Sequence, residues 1–524
     1  MSKRTSKPTI LRPTRRTFLA GATALGTAVL AGAPLIGRAK ADEPRKGGKL
    51  RVAMGPGSTS DSLDPATYWD SPQYTAGFTI GNALVEIDSQ KKPTPELAES
   101  WDSSADLKKW SFKLRKGVQF HNGKSLTSAD VVYSLKRHIA KDSTSAAKGL
   151  LSSIEDITAD GPDAVTVTHA TGTPDLPVIF GDFHLTIAPE GFSDWNNFIG
   201  TGPYKVSRFE PGNVLETKRN ENYWKPNRAW VDEFDLVFIN DHTAATNALL
   251  TGELQAVAQI AAQTAERLKS RGGFNLIVSD GAATNHLSMN SQSKTFSDPN
   301  VRLAVKSAVP RAEMLKFIGR GYGVVGNDHP IPPNDPYYNP NIKQREQDPD
   351  KTKWYLKQAG LSSLDLDLHV SDAAYSGAVD STALFKEAAK PAGININIKK
   401  EPADGYWSNI WLKRDFVVAY AGCRPTPDMM FSIFFQCNAP WNEGFWCNDK
   451  FEKLLLVGRS TTDFETRKQA YWEMQQIVHD DGGEAIFMFP SIIDAYAPSV
   501  AGVSPDGVRT MMGGRVAERA WLSA

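Results

Sequence analysis

Cysteine is nearly absent: Cys423, Cys437 and Cys447 are the only three in 524 residues. So few thiols exclude a disulfide-dense scaffold. Without a C-x-x-C or C-x-x-C-H there is no signature for an iron–sulfur cluster or attached haem either. The spacings between the three, 14 and 10, do not suit zinc. Also missing are G-x-G-x-x-G after a strand, G-x-x-x-x-G-K-[ST], G-x-S-x-G and H-E-x-x-H. The nine histidines, at 121, 138, 169, 184, 242, 286, 329, 369 and 479, are never three or four apart on one helix face. Asp328 beside His329 is one isolated pair. A hydrolase or redox enzyme therefore finds none of its parts, and no cofactor is expected. Basic runs are lacking beyond the first 41 residues, which hold eight Lys+Arg and no Asp+Glu, so residues 42–524 carry a net charge of −8. Such a chain has no electrostatic footprint for nucleic acid.

What is present begins with a leader. Lys3, Arg4, Lys7, Arg12 and the pair Arg15-Arg16 precede an apolar stretch from Phe18 to Gly37, and Ala39-Lys40-Ala41 fits the small-x-small cleavage pattern. The reading is a twin-arginine-type signal over 1–41, cleaved after Ala41 to leave a soluble periplasmic protein. A transmembrane anchor is the alternative, although the glycines and threonines make a poor span.

The rest mixes strands and helices without a repeat. "KLRVAMG" alternates as a strand, and "LDPATYWDSPQ" reads as a loop centred on Tyr68 and Trp69. Thr127 with Asp130 resembles a capping box opening a helix through Val131, Leu135 and Ile139. Asp298-Pro299 opens another helix, Gly252 ends one, and Ala470, Met474, Ile477 and Val478 recur at helical spacing. The fold class is α/β, and a chain this long needs two or more lobes. Cys437 and Cys447 bracket "CNAPWNEGFWC", read either as a disulfide suited to the periplasm or as two free thiols, with Cys423 left over.

Several segments, in order, resemble the large periplasmic substrate-binding proteins of ABC importers that include dipeptide-, oligopeptide- and nickel-binding proteins (solute-binding protein family 5). They are "GGKLRVA" with "LDPA", "PTPELAESW" through "FKLRKGVQFHNGKSLTSADVVYSLKR", "IGTGPYKV", "LETKRNENYW", "ALLTGELQAV" and "NSQSKTFSDPNVRLAVKSAV". The resemblance implies a type II periplasmic-binding-protein-like fold. Two lobes would join through a two-strand hinge, with crossings near 285–290 and 484–490. Lobe 1 would take 42–75, 198–284 and 485–524, with an extra subdomain over 76–197, and lobe 2 would take 285–484. It also implies a monomeric receptor with a small solute or short peptide as ligand, ABC permease subunits as partners and no cofactor. A metal- or haem-complex carrier of the same fold is the alternative.

Peptide binders of this family hold the ligand's amino terminus with an aspartate in the segment resembling "AYAGCRPTPDMMFSIFFQC" (419–437). Gly422 and Cys423 stand where that aspartate is expected, which argues against ordinary peptide binding. Arg424 instead offers a planar fork for a carboxylate or phosphate, unless it pairs with Asp428 across the turn. Tyr68, Trp69, Trp407, Trp441 and Asn442 are expected to wall the cleft, with His286 on a hinge strand. The candidate ligands are peptides, opines, modified amino acids and sugar-like solutes.

Overall fold

The computed structural model describes residues 43–281, 283–402 and 405–523; the expected signal and its cleavage site lie outside them. No helix among the described residues is long and apolar enough to cross a membrane.

Three larger sheets and two two-stranded ones organise the described residues. In the seven-stranded sheet the strand Lys49–Met54 runs parallel to Glu233–Phe238, pairing Val52 with Leu236. Leu50, Val52, Phe234 and Leu236 are completely buried there. The alternation of Lys49, Leu50, Arg51 and Val52 that marks the strand in the sequence places Leu50 and Val52 in the core. The order across the sheet is Asn275–Ser279, Ile492–Tyr496, Ala256–Val257, Lys49–Met54, Glu233–Phe238, Val214–Arg219, Tyr204–Glu210.

The four-stranded antiparallel sheet lies between residues 98 and 169. Its strand Lys109–Leu114 alternates, with Trp110, Phe112 and Leu114 turned inward and lysines and serine outward. One face is therefore solvated while the other packs with Val131 and Leu135 of the helix Ser128–Ile139. That helix starts as expected: Asp130 Oδ2 accepts from both the backbone N–H and the hydroxyl of Thr127 at 2.9 Å.

The six-stranded sheet runs Gly323–Val325, Glu484–Pro490, Thr284–Met289, Phe416–Ala421, Leu364–Val370, Ile394–Lys400. Its last two strands are parallel and joined by the helix Ala378–Ala389, whose Phe385 is fully buried beneath them.

The chain passes from the seven-stranded to the six-stranded sheet between Ser279 and Thr284, and returns between Pro490 and Ile492. The strand Glu484–Pro490, expected to belong with lobe 1 from residue 485, pairs along its length in the six-stranded sheet. The division between the sheets therefore falls at Ser491. The two passages touch: a Cβ on Gly281 would sit 1.9 Å from the Pro490 carbonyl oxygen. Only a glycine lets these backbones approach so closely.

Candidate ligand cleft

The strand Phe416–Ala421 and the helix Pro427–Phe434 are separated by the five-residue connection 422–426. Thr426 caps that helix by accepting from Met429 N–H at 3.2 Å, and Pro427 occupies its first turn. That connection carries Cys423 and Arg424. Facing it are three pieces of the chain on the other side of the 280–283 and 491 passages. They are the start of the helix Ser71–Ile80, the turn Asp182–Leu185, and the C-terminal stretch from Asp506 to Arg509. Asp506 shapes that stretch, its Oδ1 accepting from Val508 N–H at 2.9 Å and Arg509 N–H at 3.1 Å. The two sides meet at Cys423, whose sulfur lies 3.9 Å from the Gly507 carbonyl oxygen.

Arg424 lies over Phe434 and Trp441, its guanidinium carbon 5.2 and 5.8 Å from the ring centres. Its Nη1 donates to the carbonyls of Gly422 (3.2 Å) and Cys423 (3.0 Å). Burial pushes its pKa down, opposed by Asp182. The considered Arg424–Asp428 pair does not form. Asp428 turns instead to Arg459, with Nε to Oδ1 at 3.1 Å, because the helix start directs it away from the cleft and into the packing against the helix Asp449–Arg459. Asp428 is thus removed from the ligand-contacting set.

Arg509 stands opposite, over Phe183 (4.9 Å) and Tyr74 (5.4 Å). Its nearest carboxylate, Asp182, is 3.9 Å away and already bonded to His184 Nδ1 at 2.5 Å. Burial alone would raise the Asp182 carboxyl, but His184 and Arg509 outweigh it and hold it well below the usual carboxylate range. Burial pushes the Cys423 thiol up against the pull of Lys91, Arg509 and Arg424, so the thiol stays protonated. Two ion pairs cross between the same sides: Lys91 to Asp335 at 3.1 Å and Arg467 to Asp175 at 2.6 Å.

The aromatic residues expected along the cleft go to different places. Trp407 packs edge-on against Tyr406, Trp411 and Tyr420, with centroids 5.4–5.6 Å apart. Trp441, 41% exposed, continues the row against Trp411 and Phe434. Tyr68, by contrast, is completely buried in the core with its hydroxyl donating to Leu63 O at 3.0 Å, and its ring presses on Gly77. Trp69 points into solvent, 53% exposed. Asn442 holds the loop from Cys437 to Cys447, donating to Gln436 O and Trp446 O and accepting from Trp446 N–H. With its amide thus occupied, Asn442 is a structural residue. Cys437 and Cys447 are bonded to each other across that loop, and Cys423 is free.

His286 is buried on the strand Thr284–Met289, 2.9 Å from Glu443 Oε2 and 3.1 Å from Thr284 Oγ1. A small cavity beside it is lined by residues that include Thr284, His286, Phe434, Glu443 and Glu484. Burial lowers the His286 pKa and Glu443 raises it, with a net rise. Burial pushes the neighbouring Glu484 up to about 7. His286 thus ties the strand Thr284–Met289 to Glu443 in the loop between Cys437 and Cys447.

Sequence reasoning missed Arg509, Asp182, Tyr74 and Phe183. The "SPDGVRT" stretch offers only a turn signal at Asp506-Gly507, which says that the chain bends but not that Arg509 faces Arg424's side.

The sequence profile of the bacterial extracellular solute-binding proteins, family 5 Middle, matches residues 92–442. The di/tripeptide-binding protein 1 of Pseudomonas aeruginosa is 25% identical over 471 residues, covering 80% of this chain and 85% of its own. The dipeptide-binding protein of Escherichia coli is 26% identical over 497 residues, covering 85% and 90%. Among solved structures, the Helicobacter pylori protein DppA in complex with the peptide STSA superposes with a TM-score of 0.81 at 24% identity, covering 92% of this chain and 99% of its own. AgaA from A. tumefaciens R10 in complex with agropinic acid gives 0.81 at 24% identity, covering 91% and 99%. NikZ from Campylobacter jejuni in complex with Ni(L-His) gives 0.80 at 21% identity, covering 90% and 99%. These likenesses agree with the type II periplasmic-binding-protein fold.

Proposed function

Because the chain belongs to the bacterial extracellular solute-binding proteins of family 5, we propose that it is a periplasmic receptor. It encloses a small solute between two lobes and delivers it to the permease subunits of an ABC importer. Lobe 1 is built on the seven-stranded sheet with the 76–197 segment as its extra subdomain, and lobe 2 on the six-stranded sheet. The receptor acts as a monomer and catalyses no reaction. The observation that carries this reading is the arrangement of side chains about the two passages. Arg424, Trp407 and Trp441 come from the 284–490 part, and Arg509, Asp182, Tyr74 and Phe183 from the remainder. A solute lying between them touches both parts only when they are together, so its binding energy shifts an open–closed equilibrium toward closed.

The solute is a peptide, an opine, a modified amino acid or a sugar-like compound, a range supported by relatives whose complexes hold a peptide and agropinic acid. Small-angle scattering tests the mechanism: a bound solute should lower the radius of gyration saturably and be recovered unchanged. A solute that is bound without compaction contradicts the closing mechanism, and one that is recovered altered contradicts receptor function.

A further inference from the structure

From the unpaired donors of the cleft, and resting on the receptor reading above, we infer that the solute carries a carboxylate- or phosphate-type oxyanion held between Arg424 and Arg509, and that no ammonium group occupies the ground beside Cys423.

A guanidinium offers five N–H donors in a fixed plane. For Arg424 the structure satisfies only Nη1, and only with the carbonyls of its own turn. No carboxylate among the described residues lies within ion-pair distance of it. A partly buried charge left without a counter-charge is costly, and the missing partner is an anion. Arg509 has one carboxylate near it, Asp182, whose Oδ1 is bonded to His184 and whose Oδ2 lies 3.9 Å from Nη2, beyond hydrogen-bond length, so the guanidinium's side-chain N–H groups have no hydrogen-bond acceptor among the described residues. Both guanidinium groups lie over aromatic rings, Arg424 over Phe434 and Trp441, Arg509 over Tyr74 and Phe183. Stacking of this kind fixes the plane of the fork and leaves its in-plane N–H groups for a bidentate acceptor. The wall adds one more donor: Trp411, which packs between Trp407 and Trp441, has a buried indole N–H with no acceptor among the described residues.

The acceptors tell the complementary story. Asp335 is held by Lys91, Asp182 accepts from His184 through Oδ1 with Oδ2 turned to Arg509, and Asp70 Oδ1 accepts from Ser71 N–H at 2.6 Å as a helix cap. An ammonium placed beside Cys423 would meet a neutral thiol among the cations Arg424, Arg509 and Lys91, with Asp335, the carboxylate nearest that thiol, already paired with Lys91, so the site selects against it.

The test uses the purified full-length chain and four probes of matched size: malonate, malonamide, glycinamide and inorganic phosphate. Each is titrated by calorimetry at constant ionic strength with chloride as the balance. The expected result is saturable binding of malonate or phosphate, at least tenfold tighter than malonamide, with glycinamide weakest. Malonate preference over phosphate assigns a carboxylate ligand, and the reverse assigns a phosphate. Arg424→Lys, which keeps the charge and loses the fork, should weaken the anion at least tenfold, and Arg509→Gln likewise, with malonamide unchanged in both. Circular dichroism and the melting temperature confirm that each variant is folded. Malonamide or glycinamide binding as tightly as malonate overturns the anion inference while leaving the receptor reading intact, as does an unchanged malonate affinity in folded Arg424→Lys. Recovery of a hydrolysed amide would instead overturn the receptor reading.

Discussion

Lys91 Nζ donates to Asp335 Oδ2 across 3.1 Å, joining the turn after the strand Val85–Ile87 to the 327–345 segment on the other side of the cleft. With Arg467–Asp175 it forms the polar clasp between the two sides. Met429 adds an apolar contact, because it packs into the core beneath the four-stranded sheet although its helix belongs to the 284–490 part. The double variant Lys91→Met/Asp335→Asn leaves no unpaired charge. It is expected to weaken solute affinity by about 1 kcal/mol, roughly fivefold, through faster release. Stopped-flow tryptophan fluorescence measures the release rate directly; an unchanged rate would remove the clasp from the closing mechanism.

Acid should destabilise the fold. Burial drives the pKa of His138 to about 3 and that of His329 to about 3. Both stay neutral in the folded protein while the unfolded chain takes up protons below about 6.5. Each then removes stability as pH falls from 6.5 toward 3, at up to about 1.4 kcal/mol per pH unit. Denaturant titrations at pH 7.5, 6.5 and 5.5 should show the midpoint falling, and His329→Phe should flatten the slope.

Glu484 works in the opposite direction. Its carboxyl holds a proton up to about 7, whereas the unfolded side chain releases it near 4.5. The folded state therefore binds more protons in that window, and the Glu484 contribution becomes less favourable as pH rises through it. His286, raised by Glu443, shares this sign: its stabilisation is full below about 6.5 and fades as pH climbs through the folded value. Glu484→Gln should match the wild type near pH 5 and gain on it by pH 8, read as the difference between the two denaturation midpoints.

Removing the Cys437–Cys447 bond, which closes a loop with a sequence separation of 10, should cost about 2–4 kcal/mol. The same loop carries Trp441 under Arg424 and is held by Asn442. The Cys437→Ser/Cys447→Ser variant should therefore lose solute affinity as well as stability. Urea denaturation and a binding titration on one preparation separate the two effects.

The carboxylates Glu86, Glu96 and Glu518 lie close enough together to hold a metal ion, yet cations already neutralise them. Arg515 binds Glu96 through both oxygens at 2.7 and 2.9 Å, and Lys225 reaches all three. Chelator should leave the melting temperature unchanged. Glu96→Gln, which breaks a buried pair from one side, should cost about 3–5 kcal/mol.

Local signals in the sequence carried well into the structure where a single turn of chain decides the outcome. Asp298 caps the helix Pro299–Ala308 through Asn300 N–H, and Gly252 ends the helix His242–Thr251 in the left-handed conformation only glycine adopts freely. The helix Ser71–Ile80 escaped notice because all ten of its residues are buried, so no polar face marks a 3.6-residue period. Its one sign was Asp70 before Ser71-Pro72, a cap that the surrounding loop residues disguised. The site was less legible for a related reason. An aromatic residue in a loop reads the same whether it joins an aromatic row, solvent or core, and Trp407, Trp69 and Tyr68 went to those three places. Arg424 stood out because its neighbours break the family pattern. Arg509 did not, since its position depends on a return of the chain across more than eighty residues.

Native mass spectrometry of the gently purified protein tests solute reception most directly. The expected result is a one-to-one, non-covalent adduct that is displaced by malonate and, once released by denaturation, is recovered chemically unchanged. A released compound that the protein converts to a different mass on re-addition would contradict it.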